Sequence, residues 1–124
     1  MPSSAVMLKG MEGAVLGIWV AHGEGKLHAN KELLSRIEEE ELAPVRYVDD
    51  DHTVTEEYPF NPNGSPNGIA ALSSKDGRHL AIMPHPERAI LSWQWPFAGN
   101  LQCEKSAASP WVKMFQNAFE FCNK

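Results

Sequence analysis

Cysteine is scarce in this chain of 124 residues: Cys103 and Cys122 are the only two. Two isolated thiols make neither a disulfide framework nor a C-x-x-C metal pattern, which sets aside stapled mini-domains and structural zinc. Positive charge is short as well, because eleven Lys and Arg against sixteen Asp and Glu give −5 with no basic cluster. Phosphate-backbone binding needs concentrated positive charge, so no nucleic-acid partner is expected. No apolar run approaches the roughly 20 residues that span a bilayer. Met1–Gly10 lacks a basic region followed by a long apolar stretch, so no secretory leader is expected either. The expected setting is cytoplasmic, without membrane contact. Neither G-x-G-x-x-G nor G-x-x-x-x-G-K-[ST] occurs, and the five histidines share no metal-ligand spacing with carboxylates. No cofactor or metal site is therefore expected within the chain.

What is there reads as one globular unit without repeat, low-complexity tract or linker. At 43% hydrophobic residues, the composition is sufficient for a core. Ala14-Val15-Leu16-Gly17-Ile18-Trp19-Val20-Ala21 is an almost unbroken apolar run, the pattern of a strand buried on both faces. Asn30 is placed to cap a helix running to about Glu41, with Leu33, Leu34 and Ile37 on one face and Pro44 limiting it. Val45–Val48 reads as a strand. Gly68–Leu72 and Arg78–Met83 read as two more, joined through the hairpin signal Lys75-Asp76-Gly77. Ser109-Pro110 opens a final helix with Trp111, Met114, Phe115, Ala118, Phe119 and Cys122 at helical spacing. The expected fold is α/β, with a mixed, mostly parallel sheet flanked by helices and one β-hairpin. A first strand covered on both sides needs more sheet and helix than remains, which points to part of a larger domain.

His79-Leu80-Ala81-Ile82-Met83-Pro84-His85-Pro86-Glu87-Arg88 is the most informative segment for chemistry. An apolar strand delivers the chain to its carboxyl end, where α/β sheets place ligand sites. Two prolines stiffen the backbone on either side of His85. Glu87, two positions along, falls on the same side if the stretch stays extended, where a carboxylate can orient an imidazole serving a nucleophile. The alternative is a rigid turn whose His and Glu face solvent. No nucleophile accompanies the pair. Cys122 lies on the apolar face of the last helix and reads as a buried structural thiol. Cys103 lacks the glycines of a nucleophile turn and has Glu104 beside it. Ser65, between Gly64 and Pro66, lacks the strand-turn-helix surroundings of a hydrolase elbow.

Two further segments stay open between roles. His22-Gly23-Glu24-Gly25 is a glycine turn that can bring His22 or Glu24 to a ligand, or serve geometry alone. Asn61–Gly68 is either a functional loop or an ordinary cluster of turn formers. Trp93 and Trp95 are either an interaction surface or packed against a loop beside Pro96, the latter being the expectation.

Taken in order, several segments carry a specific likeness. They are Gly10-Met11-Glu12-Gly13, Trp19–Gly25, Arg46-Tyr47-Val48-Asp49, Asn61-Pro62-Asn63-Gly64-Ser65-Pro66, Met83–Arg88, Trp93-Gln94-Trp95 and Ser109-Pro110-Trp111. Together they resemble the C-terminal part of the glutaminase domain in the phosphoribosylformylglycinamidine synthase family of triad-type glutamine amidotransferases. The resemblance covers nearly the whole chain and implies a partial amidotransferase domain, with residues 1–124 its C-terminal half. It implies His85 as the catalytic base and Glu87 as the carboxylate that orients it. In the family the nucleophilic cysteine stands in a G-x-C-x-G-type elbow before this region, and that elbow is absent here. Implied partners are glutamine, the upstream glutaminase half and the synthetase domains. ATP and magnesium belong to those synthetase domains, with no residue here to hold them. The whole enzyme would be an ATP-dependent carbon–nitrogen ligase of purine biosynthesis, and this portion alone would be inactive. Two other readings are a noncatalytic binding or scaffold module that keeps the motif, and the glutaminase part of another triad-type amidotransferase.

Overall fold

In the computed structural model, residues 3–21, 23–96 and 107–124 are described. The chain divides into two compact units, Met1–Ala5 with His22–Met83 and Val6–Ala21 with Pro84–Lys124. Among the described residues, no helix is long and apolar enough to cross a membrane.

The first unit starts from a capped helix. Asn30 is extended, and its side-chain oxygen accepts from the Leu33 N–H at 2.8 Å, satisfying one of the donors left free at a helix start. Helix α1 covers Lys31–Glu39. It ends before Pro44 can act. Leu42 N–H donates to the Ile37 carbonyl and Glu41 N–H to that of Glu38, closing a Schellman motif with Glu41 at φ 52. Ile37 is buried and Leu34 packs against the core, whereas Leu33 is exposed, so the apolar stripe is narrower than its spacing predicts.

The sheet contains β1 (Val45–Arg46), β2 (Ile69–Ser73) and β3 (Leu80–Ile82), in that spatial order. Both pairings are antiparallel: Val45 stands opposite Ala71, and Ala71, Leu72 and Ser73 stand opposite Ile82, Ala81 and Leu80. The expected hairpin is present. The expected mostly parallel sheet is not, and for β2 and β3 the reason lies in the connection between them. The β2–β3 link is a tight turn, whereas parallel neighbours need a crossover of roughly a dozen residues or more. Ile69, Ala70 and Ala71 of the central strand are buried in succession. Ile37, Ala43 and Ile69 form the core, covered in part by Leu27, Leu34, Leu42 and Leu72.

Between β1 and β2 the chain makes a long, internally bonded excursion. Asp49 Oδ1 accepts from the N–H groups of Asp51 and Thr53, shaping the acidic turn. Asn61 is almost wholly buried with both amide hydrogens and its oxygen partnered: Nδ2 donates to the Thr55 and Ser65 carbonyls, and Oδ1 accepts from Ser65 N–H, each at 3.0 Å. Arg46 closes the base of the excursion, its guanidinium donating to both Glu38 carboxylate oxygens and to the Asn67 carbonyl.

In the second unit, the run Ala14–Ala21 forms no sheet ladder. Indole donors hold it instead. Trp95 Nε1 and Trp111 Nε1 both donate to the Gly17 carbonyl at 2.9 Å, and Trp19 Nε1 donates to the Gln94 carbonyl at 2.8 Å. Trp19 and Val20 are 59% and 60% exposed, so this segment is not the doubly buried strand its composition predicts. Helix α2 spans Val112–Cys122. Trp111, Met114 and Asn117 are buried along it, and Asn117 Nδ2 donates to the Met7 and Lys9 carbonyls, fastening the 3-10 turn Val6–Leu8. Phe115 and Phe119 are exposed, Phe119 to 70%, and Cys122 is an exposed free thiol rather than a buried one. Helical periodicity locates an apolar face but does not reveal whether this chain covers it.

Candidate active site

At Met83–Pro84 the chain passes from the first unit into the second. Met83 N–H still donates to the Ala70 carbonyl, prolonging the β3 ladder by one step. Pro84 is buried, His85 adopts φ −114 and ψ 80, and Pro86–Arg88 closes a single 3-10 turn. Proline at the first position of that turn is preorganised by its fixed φ and has no N–H to leave unpaired. Arg88 N–H donates to the His85 carbonyl at 3.1 Å, and Ala89 N–H to that of Pro86 at 3.0 Å.

This turn brings the two predicted side chains together. His85 Nδ1 and Glu87 Oε1 are 2.7 Å apart. They meet through the curl of the 3-10 turn, not through an extended stretch that presents alternate residues to one side. Glu87 lies largely in solvent and His85 is half-buried. The hydrogen bond from the His85 ring, helped by the backbone N–H of Glu87, holds the Glu87 carboxyl below the usual carboxylate range. An ionised carboxylate only accepts, so the ring proton of neutral His85 sits on Nδ1. Nε2 is then left with its lone pair. That is an imidazole whose tautomer and orientation are set from one side, while the other nitrogen has no hydrogen-bond partner among the described residues.

Cys122 occupies the last turn of α2, and Cys103 and His22 lie outside the described residues. Glu24 is exposed. Ser65 is buried, with its hydroxyl near the Leu27 N–H, which is a structural position. Trp93 is exposed instead of packed beneath a loop. Among the described residues, no group of three or more His, Cys, Asp or Glu side chains could hold a metal ion.

Two asparagines carry more order than their turn-forming composition suggests. Asn61 organises its own loop from within, and Asn63 Nδ2 donates to the Gly25 carbonyl and, at 3.4 Å, to that of Gly23. The Asn61–Gly68 loop thereby holds the glycine turn at residues 23–25. Clustered asparagines among glycines and prolines were the available signal, but side-chain partners forty residues away leave no local trace.

A family model for the CobB/CobQ-like glutamine amidotransferase domain matches residues 1–122. The phosphoribosylformylglycinamidine synthase of Dictyostelium discoideum is 56% identical over 99% of the chain. The Homo sapiens protein of the same name is 52% identical over 94%. An Arabidopsis thaliana relative, "Probable phosphoribosylformylglycinamidine synthase, chloroplastic/mitochondrial", is 58% identical over 94%. The matched region makes up 9%, 9% and 8% of these relatives, so the chain spans under a tenth of their length. A match over nearly the full chain is not a local motif coincidence, and the chain belongs to the family of CobB/CobQ-like glutamine amidotransferase domains.

Proposed function

We propose that the chain is the C-terminal portion of the glutaminase domain of a phosphoribosylformylglycinamidine synthase, in which His85 is the general base and acid and Glu87 orients it. The observation that carries this reading is the 2.7 Å contact between His85 Nδ1 and Glu87 Oε1, which leaves Nε2 free. High identity to synthases far longer than the chain supports the assignment of the parent enzyme. The uncovered Phe115, Phe119 and Phe121 on α2 fit a portion whose remaining half lies elsewhere in the parent.

In the complete domain, a cysteine thiolate from the other half attacks the side-chain amide carbon of glutamine. His85 Nε2, which has taken up the thiol proton, delivers it to the departing nitrogen, so ammonia leaves as the C–N bond breaks and a thioester remains. Neutral His85 then takes a proton from water as it attacks the thioester, giving glutamate and the free thiol. Glu87 stabilises the imidazolium that carries the proton within each step, from thiol to ammonia and then from water back to the thiolate. Ammonia serves an ATP- and magnesium-dependent synthetase that converts formylglycinamide ribonucleotide to the amidine. That site lies outside this chain, and no residue here is assigned to it. Without the thiol partner, the 124 residues alone are inactive as a glutaminase.

The test is a nitrogen-donor comparison in the complete enzyme. His85→Ala should reduce glutamine-dependent turnover by about two orders of magnitude or more while sparing turnover with free ammonia, as expected for loss of a general acid–base group. Equal loss with both donors would overturn the reading.

A further inference from the structure

The turn that presents His85 and Glu87 is small. Pro86–Arg88 contains three residues, and its internal support is limited to the Arg88 and Ala89 N–H bonds at 3.1 and 3.0 Å. Its exit at Ala89 has φ −133 and ψ 40, neither helical nor extended, so nothing in the local backbone pattern fixes the direction in which the chain leaves. Something outside the turn must. Ala89 is fully buried, and a buried carbonyl requires a donor.

That donor is Ser109. Its side-chain hydroxyl donates to the Ala89 carbonyl, and its backbone N–H donates to the Ile90 carbonyl at 2.8 Å. The same hydroxyl oxygen accepts from Trp111 N–H at 3.2 Å at the entry to α2. Ser109 is itself buried, so water is poorly placed to replace it. The entry is secured further along, by the Trp111 indole on the Gly17 carbonyl and by Asn117 on the Met7 and Lys9 carbonyls. Backbone bonds from Ser109 to Ile90 and from Ser92 to Ala107 pair the two segments just beyond the turn, and the Ser109 hydroxyl extends that tie to Ala89, the exit of the His85–Glu87 turn itself.

We propose that Ser109 is a positioning residue for the His85–Glu87 pair: its hydroxyl fixes the Ala89 carbonyl and thereby holds the turn in which the Glu87 carboxylate meets His85 Nδ1. The proposal rests on the roles given to His85 and Glu87 above. Serine at this place then does more than start a helix. A helix start tolerates any good cap, whereas this role needs a hydroxyl that donates toward Ala89 while accepting from Trp111.

The experiment is ring-nitrogen NMR on the full chain, reading which nitrogen of neutral His85 carries the proton, with circular dichroism as the check on folding. Ser109→Ala should stay folded and shift the ring from the Nδ1–H form toward the Nε2–H form by roughly fivefold, the equilibrium worth of one ordinary hydrogen bond. Ser109→Thr, which keeps the hydroxyl, should restore the Nδ1–H form. Glu87→Gln serves as the reference for a lost partner. If Glu87→Gln shifts the tautomer and Ser109→Ala does not, the positioning role is wrong while the pair stands. If Glu87→Gln shifts nothing, the pair itself fails and takes the proposal with it. Should Ser109→Ala not fold, Ser109→Cys is read in its place, its thiol being a weak donor of similar size. Loss of fold in both variants would assign Ser109 a purely structural role and overturn the proposal.

Discussion

His85 Nδ1 and Glu87 Oε1 stand 2.7 Å apart across a single 3-10 turn, with Pro86 buried between them. The contact lowers the Glu87 pKa, and this fixes the sign of a pH effect. A carboxyl depressed on folding contributes stability above its unfolded value and loses it as pH falls through the folded value. Glu87→Gln should therefore be less stable than the parent near neutrality. The difference should shrink as pH drops below about 4, the region of an ordinary glutamate carboxyl. Urea midpoints for both chains across that range check this. A difference that stays constant down the acid range would show that the carboxylate charge contributes nothing there.

The legible parts of the fold were those with local causes. Asn30 before an amphipathic stretch gave α1, Lys75-Asp76-Gly77 gave the hairpin, and Ser109-Pro110 gave the start of α2. The pairing of His85 with Glu87 was legible from spacing, although the geometry that achieves it is a turn and not a strand. Nonlocal features were hidden. Ala14–Ala21 has the composition of a core strand, but its long-range hydrogen bonds come from three tryptophan-linked contacts that no periodicity encodes. Phe115 and Phe119 have the spacing of a buried face and remain exposed, because apolar spacing does not say which segment supplies the cover. Ser109 read as a helix cap, and its second partner, Ala89, lies twenty residues earlier.

Arg46 should prove the most demanding charged position in the first unit. Its side chain is nearly buried, and its guanidinium serves Glu38 twice as well as the carbonyls of Ala43 and Asn67. Hydrogen bonding from Arg46 is the leading reason that the Glu38 carboxyl lies below its usual range, with Asn67 contributing. Arg46→Ala should cost about 2–3 kcal/mol, the scale of losing a charged hydrogen-bond donor from a largely buried site. Arg46→Lys should recover little, since a single ammonium cannot reproduce the planar fork. Denaturant midpoints of the two variants check this, and a lysine variant as stable as the parent would refute the fork argument.

Two glycines separate backbone strain from crowding. Gly13 has φ +76 with open space around an added Cβ, and Gly77 has φ +70 with the Ser4 carbonyl oxygen 1.9 Å from one. Gly13→Ala should cost only the left-handed penalty, about 1–2 kcal/mol. Gly77→Ala should cost more, because the obstacle is backbone and the segment carrying buried Ala5 must move. Hydrogen exchange should then quicken around residues 4 and 5 in Gly77→Ala and stay unchanged there in Gly13→Ala.

Glu41 offers a stabilising change at the other side of the same issue. It occupies the left-handed position of the Schellman motif that ends α1, where its Cβ is unfavourable, and both motif hydrogen bonds are backbone bonds that glycine retains. Glycine also gains freedom in the unfolded chain, which offsets part of the relief. Glu41→Gly should still raise stability by about 0.5–1 kcal/mol, the difference between those two effects. Removing one negative charge works in the same direction, because Glu38, Glu39 and Glu40 precede it. Glu41→Gln separates the contributions: it keeps the Cβ and removes the charge, so only the glycine variant should show the larger gain. Equal denaturation midpoints for the two would assign the effect to charge and leave the left-handed backbone at Glu41 without a measurable cost.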